Sequence, residues 1–150
     1  MLFEKLEDIL DFAIAKEIEA VDFYGRLAVK VKDRNIYDEL MKMAAMEEKH
    51  RDWLQENSVA LVSSNSDVPV QNLKTADFTI EPQPAADLTW PDIINLAMHR
   101  EATAVNLYEN LAQIVTDPSA KQMFLNLASE ESRHRLYFET LWDEEVMIED

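Results

Sequence analysis

Glu47-x-x-His50 and Glu131-x-x-His134 each set a carboxylate and an imidazole three positions apart in the 150-residue sequence. On a helix, positions i and i+3 are neighbours on one face, so each pair can close on a single ion. One such pair would mean little, because a Glu-x-x-His occurs by chance on many helix surfaces. Here two stand in register, and each has a Glu thirty residues upstream: Glu17 before Glu47, and Glu101 before Glu131. Four carboxylates and two imidazoles form the donor set of a two-metal centre. Mixed oxygen and imidazole ligands suit Fe or Mn better than Ca or a structural Zn. Two Fe ions are the expected content, with Mn or Zn as alternatives.

The pattern around these residues places them inside. His50 shares an arc of its helix with Met43, Met46 and Leu54, and His134 shares one with Leu127, Phe138 and Leu141. Buried carboxylates carry a large desolvation cost unless a cation answers them. Lys49, Arg51, Arg133 and Arg135 fall on other arcs, so two divalent cations are the natural counter-charge. Tyr24 lies seven positions after Glu17 and Tyr108 seven after Glu101, on the same faces. Ala13 and Ala20 flank Glu17, and Ala97 and Ala104 flank Glu101, which leaves room for ions and a small ligand. Glu48 and Glu130 should point elsewhere. His99 falls off the face of Glu101 and reads as a surface residue or a support behind the ligands rather than a ligand.

Positioning six donors takes four helices. Apolar residues recur at helical spacing from residue 2 to about residue 30, and again over about 34–57, where Asp33 can cap the start. Residues 58–88 hold Pro69, Pro82 and Pro84 among Ser, Asn and Asp, and read as a linker. A loop of that length normally has a task. In a four-helix bundle it carries the chain along the bundle from the second helix to the third. Thr89-Trp90-Pro91-Asp92 opens a helix over about 90–115, and Asp117-Pro118 opens another over about 118–144.

The two halves match. Glu17 to Glu101 and Glu47 to Glu131 are both steps of 84 positions. The same step pairs Ala13 with Ala97, Tyr24 with Tyr108, Asp33 with Asp117, and His50-Arg51 with His134-Arg135. The expected architecture is all-α: a single domain over 1–150, made of two copies of one helical hairpin.

Composition narrows the function. A single Gly and five Pro leave little scope for a β fold, and no Cys means no disulfide, thiolate zinc site, iron–sulfur cluster or thiol nucleophile. Thirty acidic against fourteen basic residues, net −16, disfavours nucleic acid and anionic membranes as partners. The same acidity also serves plain solubility. The acidic, amphipathic N-terminus does not read as a signal peptide, and no apolar run is long enough to cross a bilayer. A cytoplasmic protein is expected.

The motifs Glu17-x-x-Ala20-x-x-x-Tyr24, Glu47-x-x-His50, Glu101-x-x-Ala104-x-x-x-Tyr108 and Glu131-x-x-His134 resemble those of the ferritin-like superfamily, most closely rubrerythrin-type proteins. The resemblance covers nearly the whole chain. It implies a ferritin-like four-helix bundle in which Glu47 and Glu131 bridge two irons and Glu17, His50, Glu101 and His134 are terminal ligands. It also implies that Tyr24 and Tyr108 hold the carboxylates by hydrogen bonds. The implied activity is that of a non-haem di-iron oxidoreductase, reducing peroxide or oxygen. The alternatives are a ferroxidase that handles iron, a manganese catalase-like centre, or a non-catalytic metal-binding bundle. Rubrerythrin proper adds a Cys-ligated iron domain, which this Cys-free chain lacks, so an external electron donor is implied. Rubrerythrin also carries an extra Glu where this chain has Ala104, leaving a six-ligand set here. A homodimer is expected, and the long linker would permit hairpins to exchange between chains.

Overall fold

A computed structural model of the protein describes residues 5–65 and 89–146. Among the described residues the regular structure is four α-helices: α1 (Leu6–Ala28), α2 (Arg34–Ser64), α3 (Trp90–Ile114) and α4 (Pro118–Glu145). The described residues contain no strand. Helix α1 packs on α2 and α3 packs on α4, giving two hairpins that are separate compact units. The expected helix start at residue 2 and residues 66–88 of the expected linker lie outside the described residues.

In the first hairpin, α1 buries Leu6, Ile9, Leu10, Ala13, Glu17, Ala20, Tyr24, Leu27 and Ala28. Their spacing of three and four is one stripe of a 3.6-residue helix. Past Ala28 the amides of Lys30 and Val31 donate to the carbonyls of Leu27 and Ala28, tightening the last turn. Asp33 then opens α2. Its carboxylate accepts from the amides of Asn35 at 2.8 Å and Ile36 at 3.2 Å, two of the donors that a helix start leaves without a partner inside the helix.

Helix α2 runs past the expected end at residue 57 and stops at Ser64. The Ser and Asn residues after Trp53 suggest a linker, yet they support the helix. The Asn57 amide donates to the Trp53 carbonyl at 2.8 Å, and the Ser58 hydroxyl donates to the Gln55 carbonyl at 3.3 Å. Leu61, seven positions after the buried Leu54, continues the buried stripe. No Pro or Gly interrupts residues 58–64. Asn65 ends the helix, its amide side chain donating to the Leu61 carbonyl at 2.8 Å.

The second hairpin starts with a reciprocal cap. The Asp92 amide donates to the Thr89 hydroxyl at 3.3 Å, and the Thr89 amide donates to the Asp92 carboxylate at 3.1 Å. Pro91 sits in the first turn, where no intrahelical N–H is needed. Asp117 caps α4 by accepting from the Ala120 amide at 3.2 Å. Tyr108 of α3 stacks on Phe124 of α4, centroids 6.2 Å apart and planes 16° apart. At the open end of the hairpin the Trp90 indole donates to the Glu145 carboxylate at 2.6 Å. The positions 84 earlier are Leu6 and Leu61, both buried. The two copies therefore secure the same place by different chemistry, apolar burial in one and a hydrogen bond in the other.

Replacing Asp117 with Ala should destabilise the protein by about 1 kcal/mol, read as a lower midpoint in urea. Asp92 supplies a pH test. Its hydrogen bond from the Thr89 amide holds the carboxyl below the ordinary Asp value. A depressed carboxyl stabilises the fold above its unfolded pKa, and the effect is lost as pH falls through the folded value. The stability difference between wild type and Asp92→Asn should therefore shrink on acidification below about pH 4. A constant difference across that range would contradict the cap.

Candidate metal centre

Each hairpin supplies its donors from two helices. Glu17 comes from the middle of α1, and Glu47 and His50 come from one face of α2. Glu101 comes from α3, and Glu131 and His134 from α4. All six are buried: Glu17 and Glu47 are 2% exposed, Glu101 1%, Glu131 0%, His50 4% and His134 5%. Those fractions match the leucines around them, which is unusual for Glu, a residue seldom fully buried without a partner.

In the first hairpin His50 Nδ1 lies 3.6 Å from Glu17 Oε2 and 3.4 Å from Glu47 Oε1. In the second, His134 Nδ1 lies 3.6 Å from Glu101 Oε1. One donor atom each from Glu101, Glu131 and His134 falls within a 4.8 Å span, and so does one each from Glu17, Glu47 and His50. The same ring nitrogen faces the carboxylates in both copies.

These separations suit a shared ion. Ligands about 2.1 Å from one centre at tetrahedral angles lie about 3.4 Å apart. A neutral imidazole has one N–H and can satisfy one carboxylate oxygen, whereas each histidine here has two carboxylates around it. A divalent cation among the three groups answers both negative charges and uses the nitrogen lone pair. The donor set is hard oxygen with one imidazole, which fits Fe(II), Mn(II) or Zn(II).

Two arginines beside the histidines pair with carboxylates outside the triads. Arg51, beside His50, bonds Asp52 at 2.9 Å, and that hydrogen bond raises its pKa. Arg135, beside His134, bonds Glu139 at 2.9 Å. Glu48 and His99 are exposed and Glu130 is half-buried. Tyr24 and Tyr108 are fully buried, at 0% and 1% exposure, on the helices that carry Glu17 and Glu101. Ala13 and Ala97 are buried with them, while Ala104 is half-buried.

Solved structures share this fold. A ferritin-like diiron-carboxylate protein from Thermotoga maritima matches with a TM-score of 0.81 at 22% identity, covering 96% of this chain and 98% of that one. A hypothetical protein from Pyrococcus furiosus matches with a TM-score of 0.72 at 27% identity, covering 93% and 89%. A manganese catalase from Anabaena matches with a TM-score of 0.67 at 17% identity, covering 96% and 75%. No curated protein sequence matches the chain. The class is thus the ferritin-like four-helix bundle. The Rubrerythrin family model matches residues 8–142, nearly the whole chain, and the protein belongs to the rubrerythrin family.

Burial of these carboxylates gives a sign reversal to test. In metal-free protein, Glu131→Gln should stabilise the fold by on the order of 1 kcal/mol, because it removes a buried charge, and so raise the melting temperature. With excess divalent cation the wild type should become the more stable of the two, since the ion binds only its folded state. Parallel thermal melts with and without chelator read both signs.

Proposed function

We propose that Glu17, Glu47, His50, Glu101, Glu131 and His134 hold two iron ions, and that the protein is a non-haem di-iron oxidoreductase reducing peroxide or oxygen. The observation that carries this reading is the duplicated, buried triad of two carboxylates and one imidazole, in a chain of the rubrerythrin family. In this reading Glu47 and Glu131 would hold both ions, and Glu17, His50, Glu101 and His134 would each hold one, as the resemblance implies. Tyr24 and Tyr108, buried on the helices of Glu17 and Glu101, hydrogen-bond the carboxylates and fix their orientation.

When bound, the metal pair supplies two electrons, one per ion, to the oxidant. The chain's own part is to place six ligands and keep bulk water from them. Ala13, Ala20, Ala97 and Ala104 leave space for a small oxidant beside Glu17 and Glu101. In this reading the electrons come from an external donor. The protein works in the cytoplasm as a homodimer in this reading, without nucleic acid or membrane partners. The net charge of −16 supports the exclusion of polyanions, and no helix of the described residues is long and apolar enough to cross a membrane.

A second reading is favoured by one residue. Ala104 stands where rubrerythrin has an additional Glu, and the remaining six-ligand set suits ferroxidation, with Fe(II) itself as substrate and O₂ as oxidant. Excess Fe(II) in air should then turn over repeatedly. Peroxide plus a separate reductant should turn over under the first reading.

Anaerobic loading with Fe(II) should bind two ions per chain, and peroxide should then raise a near-ultraviolet ferric absorption band. Failure to form that band would sink the redox reading. The double variant Glu47→Ala/Glu131→Ala should lose metal, measured by elemental analysis. Unchanged metal content with a raised melting temperature would show that the triads are not the metal site. Elemental analysis of protein purified from its own source without added metal separates iron from manganese and zinc.

A further inference from the structure

A groove away from the metal triads lies along the first hairpin, between the first turns of α1 and the last turns of α2. Its walls include Glu7, Leu10, Asp11, Ser58, Val59 and Val62, and its volume is about 220 Å³. A single water occupies roughly 10–15 Å³ on a comparable measure, so the groove has room for an organic group. Leu10 is buried at its floor, and Val59 is exposed at its rim. Glu7 and Asp11 are four positions apart on one helix, so their carboxylates line the same side. Among the described residues neither carboxylate enters an ion pair.

The molecule contains its own control. Helices α2 and α4 run unbroken, so the 84-position register holds to their ends. Ser58 then corresponds to Trp142, Glu7 to Pro91, Asp11 to Asn95 and Leu10 to Ile94, and Val62 matches Val146, the residue that follows α4. Both hairpins thus carry apolar residues at the last two of these positions. The first hairpin alone has a hydroxymethyl where the second has an indole, and alone has two carboxylates beside it. Surface Ser and surface acids are each ordinary. Their joint placement, with a cavity at that spot and an aromatic ring at the matching position of the other copy, is what carries the inference.

We propose that this groove binds a flat aromatic cation, an arylalkylamine in chemical class. The ring lies on Leu10 and Val62, in the register where the second hairpin carries Trp142, and the ammonium group meets Glu7 and Asp11. Apolar contact and charge together define the ligand: a neutral ring lacks the second and an alkylammonium lacks the first. The proposal stands on the hairpin repeat and the groove, not on the metal reading, and its test has no metal-dependent readout.

The probe is tryptamine, titrated into the full-length protein as purified and followed by isothermal titration calorimetry. Saturable binding at one site per chain is expected. Glu7→Gln/Asp11→Asn should weaken it at least about tenfold. Indole-3-propionate, which has the same ring and the opposite charge, should bind at least about tenfold more weakly than tryptamine. S58W restores the residue of the other hairpin and should abolish binding with helicity unchanged. Absence of saturable binding overturns the proposal. So does equal binding by the anionic analogue, or binding that survives both S58W and the double acid replacement. If S58W does not fold, the acid pair and the anionic analogue still decide the matter.

Discussion

A carboxylate taken out of water must meet a counter-charge, and each hairpin takes two out of water beside a single imidazole. That requirement organises the rest of the molecule. The donors must come from two helices, because one helix face cannot surround an ion. The helices must be long enough to place the donors near their middles, away from frayed and hydrated ends. Caps at Asp33, Thr89 and Asp117 fix where α2, α3 and α4 begin. They thereby fix the rotation at which Glu47, Glu101 and Glu131 face inward. A start displaced by one residue would turn each donor by about 100° and move it off the buried stripe.

The duplication does two kinds of work. It repeats the donor triad with the same ring nitrogen and nearly the same separations, 3.6 Å from His50 to Glu17 and 3.6 Å from His134 to Glu101. It also frees positions that the triad does not constrain. Leu6 and Leu61 in one copy become Trp90 and Glu145 in the other, and the hairpin end is held in both cases. Ser58 and Trp142 diverge further, and Ser58 lines a groove in the first hairpin. Where the buried charges set the terms the copies agree, and where packing alone sets them the copies drift.

Surface charge follows a different logic. Two of the arginines that flank the histidines pair locally, Arg51 with Asp52 and Arg135 with Glu139. Exposed pairs of this kind add little to stability. What they contribute is direction: the Arg51 and Arg135 guanidinium groups meet carboxylates at the surface.

The six buried Glu and His residues and the four helices were legible in the amino-acid sequence, because each depends on spacing within a turn or two of helix, and the repeat was legible as a single step of 84 positions. Glu-x-x-His at i and i+3, alanines around Glu17 and Glu101, and Asp or Thr before an apolar run are local signals with local causes. Tertiary structure decided what spacing cannot carry. It drew α2 on to Ser64, because Leu61 finds a buried place that a Ser-rich segment does not advertise. It turned Nδ1 of both histidines toward the carboxylates, and it joined Trp90 to Glu145 across 55 residues. It also brought Glu7 and Asp11 beside Ser58 and Val62 to form a groove. Such features require two helices to meet at a particular height, and side-chain packing along the whole hairpin settles that height.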